Sequence, residues 1–97
     1  MSKMYEKYFL LKAPTTILIS LLEGPKTKRE LFRKTGLNYS HIVRLIETFS
    51  ELGLVEEKKE IGRGIKIYLT KSGEEIALIL KKIKDFFERI EKKGMAG

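Results

Sequence analysis

Apolar residues along this chain recur first at helical spacing, then briefly at strand spacing, then again at helical spacing. Between Lys3 and Lys12, the residues Met4, Tyr5, Tyr8, Phe9 and Leu11 form a wide apolar stripe and predict a helix. Ala13-Pro14 interrupts it, because proline cannot continue a helix but suits the first turn of a new one. Ile17, Leu18, Leu21 and Leu22 predict that second helix, and Gly24-Pro25 stops it. Thr27-Lys28-Arg29-Glu30 has the spacing of a capping box, in which a hydroxyl and a carboxylate each serve backbone N–H groups at a helix start. The short helix it opens is expected to bury Leu31 and Phe32 and to end at Gly36.

Asn38 caps the next helix, which is expected to run to Leu52 with Ile42, Ile46 and Phe49 inward at spacings of four and three. Two helices joined by a short glycine-containing turn form a helix-turn-helix. Gly53 closes the second of them. Leu54 to Lys59 and Ile65 to Thr70 then alternate as strands do, with Ile65, Ile67 and Leu69 on one face. Gly62-Arg63-Gly64 supplies the positive-φ residues of a hairpin tip. Thr70 caps a last helix over Lys71 to Lys93, roughly 35 Å long at 1.5 Å per residue. The chain reads as one α+β domain over residues 1–97, mostly helical. It divides into an N-terminal helix (1–12), a helix-turn-helix with hairpin (13–70) and a C-terminal helix (71–93).

Composition narrows what such a domain does. With 97 residues, 42% of them hydrophobic, the chain fills one core and not two. It has no cysteine and a single histidine, which excludes disulfides, thiolate zinc sites and cysteine nucleophiles and leaves too few ligands for a transition metal. No cofactor is expected. No glycine-rich phosphate loop precedes a helix and no triad is in view, so an enzyme is not expected either. The longest apolar runs fall far short of a membrane span and no leader pattern opens the chain, so the expectation is a cytoplasmic protein with no membrane partner. The net charge of +7 favours a polyanion, and it is unevenly placed. Residues 1–45 carry +6, residues 46–60 carry −3 and residues 61–73 carry +3, so only folding can join the two basic blocks.

The order helix, helix, helix-turn-helix, hairpin, long helix resembles the winged helix-turn-helix DNA-binding proteins. Thr16 to Ile76 is similar to the core of the MarR/ArsR-type transcriptional regulators. The resemblance rests on Leu22-Glu23-Gly24, on Thr27-Lys28-Arg29-Glu30-Leu31 and on Thr35-Gly36-Leu37-Asn38-Tyr39-Ser40-His41-Ile42. It continues in Glu51-Leu52-Gly53-Leu54-Val55 before the wing and Tyr68-Leu69-Thr70-Lys71-Ser72-Gly73 after it. It implies double-stranded DNA as partner, with the 38–52 helix in the major groove and the 62–64 wing tip near the minor groove. Metal sensing is not carried over, because the cysteines are absent; a small-molecule effector is left open, although the short chain leaves little room for its pocket. In its length the chain is more like the minimal winged-helix proteins of archaea and their viruses, and its Lys/Glu richness would suit a thermophile.

With Ile42, Ile46 and Phe49 inward, the opposite face of the recognition helix presents Tyr39, Ser40, Val43, Arg44 and Glu47, with His41 at its edge. Arg44 is the best base reader, since its planar fork can donate twice to guanine; the alternative is an arginine paired with Glu47 or Glu51. Tyr39 and Ser40 can donate to phosphates or bases, or serve in capping and local packing, and His41 is a phosphate contact or a plain surface residue. Val43 either touches thymine methyls or packs inside. Thr27 and Lys28 sit at a helix N-terminus that suits a phosphate, or serve in capping alone. Arg63 at the wing tip can enter a narrow minor groove or remain a mobile surface residue, and Lys66 is a further phosphate candidate, as is Lys58.

In the last helix, Ile76, Leu80, Ile83, Phe87 and Ile90 make a heptad seam, with Ile79 and Phe86 beside it. A domain this small cannot cover so long a helix, so the seam is expected to fold back partly on its own chain and to be completed by a second copy. Two-fold symmetry would set two recognition helices about one DNA turn apart. The leading expectation is a homodimeric, sequence-specific transcriptional regulator. The alternatives are a non-specific architectural, chromatin-like DNA-binding protein and a winged-helix adaptor for other proteins.

Overall fold

The structure, a computed structural model, describes residues 12–96, with side chains through Glu91. The helix expected over Lys3 to Lys12 lies outside the described residues except for Lys12, which already belongs to the next element. Helix α1 spans Lys12–Leu21. Pro14 stands in its first turn, as expected, where the missing N–H has no helical partner to lose. Ile17, Leu18 and Leu21 are buried, as their spacing requires.

Helix α2 spans Lys28–Thr35 and opens with the expected capping box. The Glu30 N–H donates to Thr27 Oγ1 at 3.0 Å, and the Thr27 N–H donates to Glu30 Oε1 at 2.8 Å. Gly36 ends the helix in the left-handed region (φ 69°), its N–H donating to the Phe32 carbonyl at 2.9 Å. Only Leu31 is buried in this helix, and Phe32 is 43% exposed. Adjacent helical residues point about 100° apart, so one short helix with one buried row cannot take both inward. The Asn38 side chain caps α3, Tyr39–Glu51, by accepting from the His41 N–H at 3.3 Å.

Strands β1 (Val55–Glu60) and β2 (Gly64–Leu69) pair antiparallel, from Val55 opposite Leu69 to Glu60 opposite Gly64. Val55 and Ile67 enter the core, whereas Ile65 is half exposed, because the hairpin tip projects beyond the helices that could cover it. A second, single-residue bridge joins Lys26 to Ile67 through N–H···O bonds of 3.2 and 2.7 Å. This bridge ties the α1–α2 connection to the wing and lay outside the two-stranded expectation. Helix α4 runs Lys71–Ala96, past the expected end. The Gly73 N–H donates to Thr70 Oγ1 at 3.1 Å, which confirms the threonine cap.

One core holds these elements: Ile17, Leu18, Leu21, Leu31, Ile42, Ile46, Phe49, Val55, Ile67 and Ala77 are all buried, with Leu80 packed at the margin. Among the described residues the product is four helices and a two-stranded antiparallel sheet, the winged helix-turn-helix.

Candidate nucleic-acid interface

Helix α3 turns Ile42, Ile46 and Phe49 into the core and leaves Tyr39, Ser40, His41, Arg44 and Glu47 exposed. Val43 is half-buried, at the border between the two faces. Arg44 has no carboxylate partner among the described residues, so its guanidinium is not held by Glu47 or Glu51. Beneath it, the Thr48 hydroxyl donates to the Arg44 carbonyl at 3.0 Å within the helix. The Tyr39 ring packs edge-on against Phe32, with centroids 6.0 Å apart, which joins the start of α3 to the exposed side of α2.

The N-terminus of α2 is arranged differently from a free phosphate site. The Thr27 hydroxyl is engaged in its cap, and Lys28 Nζ lies 2.9 Å from Glu57 Oε1 on β1. Glu30, whose carboxylate accepts the Thr27 backbone N–H, is held below the usual carboxylate range by that bond, and Lys66 and Lys26 add to the effect. Lys34 pairs with Glu23, which hydrogen bonding to that lysine holds below its ordinary pKa. By contrast, Arg29 and Arg33 are exposed and carry no carboxylate partner among the described residues. Their outward position follows from Leu31 being the buried row of α2, a signal carried by its spacing in the sequence.

On the wing, Arg63 is exposed between Gly62 and Gly64, whose φ values of 75° and 73° only glycine adopts without strain. Lys66 stands directly opposite Lys58 in the ladder, and Lys58 Nζ lies 5.0 Å from the Tyr68 ring centroid. The Tyr68 hydroxyl donates to Glu60, and this bond to a carboxylate raises its pKa. Tyr68 and Glu60 thereby brace the hairpin that carries Arg63. Arg29, Arg33, Arg44 and Arg63 leave the helix-turn-helix and wing with cations in no ion pair among the described residues, and Lys66, though it acts on the Glu30 charge, is likewise in no direct ion pair there. No group of three or more His, Cys, Asp or Glu among those residues could hold a metal ion.

The long helix α4 divides its apolar residues between two faces. Gly73 and Ala77 are buried against the domain, and Leu80 continues that row onto the core. Leu80 is therefore revised from an expected partner-facing position to the chain's own packing, because the small residues at 73 and 77 set which side of the helix approaches. Ile83 and Phe87 are half-buried, and the Phe87 ring meets Phe86 at 5.8 Å. Ile76, Ile79, Phe86 and Ile90 are exposed. With Ile83 they recur at spacings of three and four, a stripe roughly a third of a turn from the buried row at 100° per residue. No helix among the described residues is long and apolar enough to cross a membrane.

No protein-family model matches the sequence, and no curated protein matches it. Among solved structures, AF1382 from Archaeoglobus fulgidus is 28% identical with a TM-score of 0.74, over 86% of this chain and 96% of that one. A MarR-family transcriptional regulator from Rhodococcus is 26% identical with a TM-score of 0.67, over 74% of this chain and 53% of its own. The adhesin competence repressor of Streptococcus pyogenes superposes over 97% of this chain and 72% of its own at a TM-score of 0.81, with 14% identity. Several of these neighbours are named transcriptional regulators or repressors, one of them of the MarR family, and this chain shares their fold.

Proposed function

We propose that this protein is a sequence-specific double-stranded DNA-binding transcriptional regulator that acts as a homodimer. The observation that carries the reading is α3: its apolar row is sealed in the core while Tyr39, Ser40, His41 and Arg44 face outward, in the half that enters the major groove in such folds. The cations without carboxylate partners on α2 and the wing supply phosphate contacts, which position the protein without reading sequence. Lys66 and Arg63 serve the wing in this way, and Arg29 and Arg33 replace the engaged Thr27 and Lys28 at α2. The stripe of exposed Ile76, Ile79, Phe86 and Ile90, with half-buried Ile83 among them, is covered by the same stripe of a second copy, an isologous contact that sets two α3 helices on one face.

Selection from random duplexes followed by titration across salt tests the reading. A site with two-fold symmetry should emerge, and log K should fall against log salt with a slope of roughly −5 to −9 for about six to ten neutralised phosphates. Arg44→Ala should cost about 1–3 kcal/mol at one base pair of each half-site and relax the preference there. Equal affinity for selected and random duplexes would instead indicate architectural DNA coating.

The Lys28–Glu57 pair supplies a separate expectation. Glu57 competes with phosphate for Lys28, so Glu57→Gln should tighten DNA binding about threefold to tenfold at low salt and steepen the salt slope by about one per protomer. Fluorescence anisotropy on the selected duplex measures both; an unchanged slope would mean that Lys28 has no part in binding.

A further inference from the structure

We infer that Phe32, braced by Tyr39, reads the C5-methyl group of a thymine at the edge of each half-site. The inference rests on the DNA-binding reading and adds a base-selecting residue to it. Phe32 and Tyr39 are 43% and 46% exposed, and they form the aromatic pair at the junction of α2 and α3. Tyr39 is the first residue of α3, so the pair stands at the end of that helix whose side chains meet base edges. Arg29, one turn before Phe32, and Arg33 beside it are exposed without carboxylate partners among the described residues, so the rings lie in a cationic setting.

In the major groove the thymine methyl is the apolar group that distinguishes A·T from the other pairs. An apolar ring there gains by covering it, whereas polar base edges offer the ring nothing in exchange for their water. The edge-to-face contact fixes the Phe32 ring before DNA arrives, which limits the rotamer freedom lost on binding. An acidic protein surface would suit the arginines equally but gives no reason for the rings to stand at the start of α3.

The test uses the full chain and the best duplex returned by selection, with each thymine replaced singly by uracil, a change that removes only the methyl. One thymine per half-site should show an affinity loss of about fourfold on replacement, the value of one buried methyl. Phe32→Ala should bind the thymine duplex as weakly as the uracil duplex, so that their ratio falls to about one. Phe32→Gln, of similar length and polar, should lose the discrimination in the same way and carries the comparison if the alanine variant fails to fold. Phe32→Leu should keep part of it.

A uracil penalty that persists undiminished in Phe32→Ala and Phe32→Gln, or the absence of any methyl-sensitive thymine, would overturn the assignment while leaving DNA binding intact. A protein that binds no selected duplex would remove the DNA-binding reading itself, and this inference with it.

Discussion

In the proposed homodimer, Ile79→Glu and Ile90→Glu together should separate the two copies and weaken binding to a two-half-site duplex by roughly a hundredfold or more. Ile79 is 56% exposed and Ile90 47% exposed, so neither substitution disturbs the chain's own core. Each lies on the stripe that continues from Ile76 through Ile83 and Phe86, about 21 Å of helix at 1.5 Å per residue. In an isologous contact every substituted residue meets the same surface of its copy, so the Ile79→Glu, Ile90→Glu variant would bury four carboxylates among apolar side chains. Such charges stay in water, and the copies separate. The second half-site then no longer benefits from the effective concentration that the first provides. Leu78→Glu is the matched control, because Leu78 is also exposed but faces away from the stripe. Sedimentation should show the double variant as a monomer and the control as a dimer at the same concentration. A double variant that still sediments as a dimer would place the interface elsewhere.

Local chemistry was legible in the sequence wherever the residues that cause a feature are close together. The capping box at Thr27 and Glu30, the Asn38 cap, the glycines of the hairpin tip and the inward row of α3 all appear where their spacing puts them. What was not legible depends on neighbours distant in the chain. Lys26 joins the wing through backbone groups alone, so its side chain announces nothing. Lys28 meets a carboxylate twenty-nine residues away, a pairing that the hairpin register creates. Phe32 was expected inside because it is large and apolar, yet Leu31 beside it had already taken the inward row. Leu80 and Ile79 belong to overlapping heptads, and apolar periodicity alone cannot say which stripe faces the chain's own domain. The smallness of Gly73 and Ala77 decides that question, because close approach of a helix needs residues without bulk.

Gly73→Ala should lower the protein's stability by about 3 kcal/mol or more. A Cβ at this position would lie 1.9 Å from the Leu54 carbonyl oxygen and 2.9 Å from its carbon, and 3.2 Å from Leu69 Cδ2. Backbone cannot swing aside as a side chain would. The Leu54 carbonyl is held by the Thr70 N–H at 3.0 Å, and the neighbouring Gly53 carbonyl accepts from the Thr70 hydroxyl at 2.6 Å. To admit one methyl, α4 must lift away from the start of the wing, loosening Ala77 and Leu80 against the core. Gly73 has an ordinary helical backbone, so alanine would otherwise gain about 1 kcal/mol from helix propensity, and the expected sign is opposite to that rule. At about 4–8 °C per kcal/mol for a domain of this size, the fall in melting temperature should be roughly 12–24 °C. Gly36→Ala separates space from conformation: its Cβ meets nothing within 4 Å, but its φ of 69° disfavours a side chain. That variant should lose only about 1–2 kcal/mol. Thermal unfolding followed by circular dichroism ranks the two, and a Gly73→Ala protein that melts with or above the parent would show that α4 sits farther from Leu54.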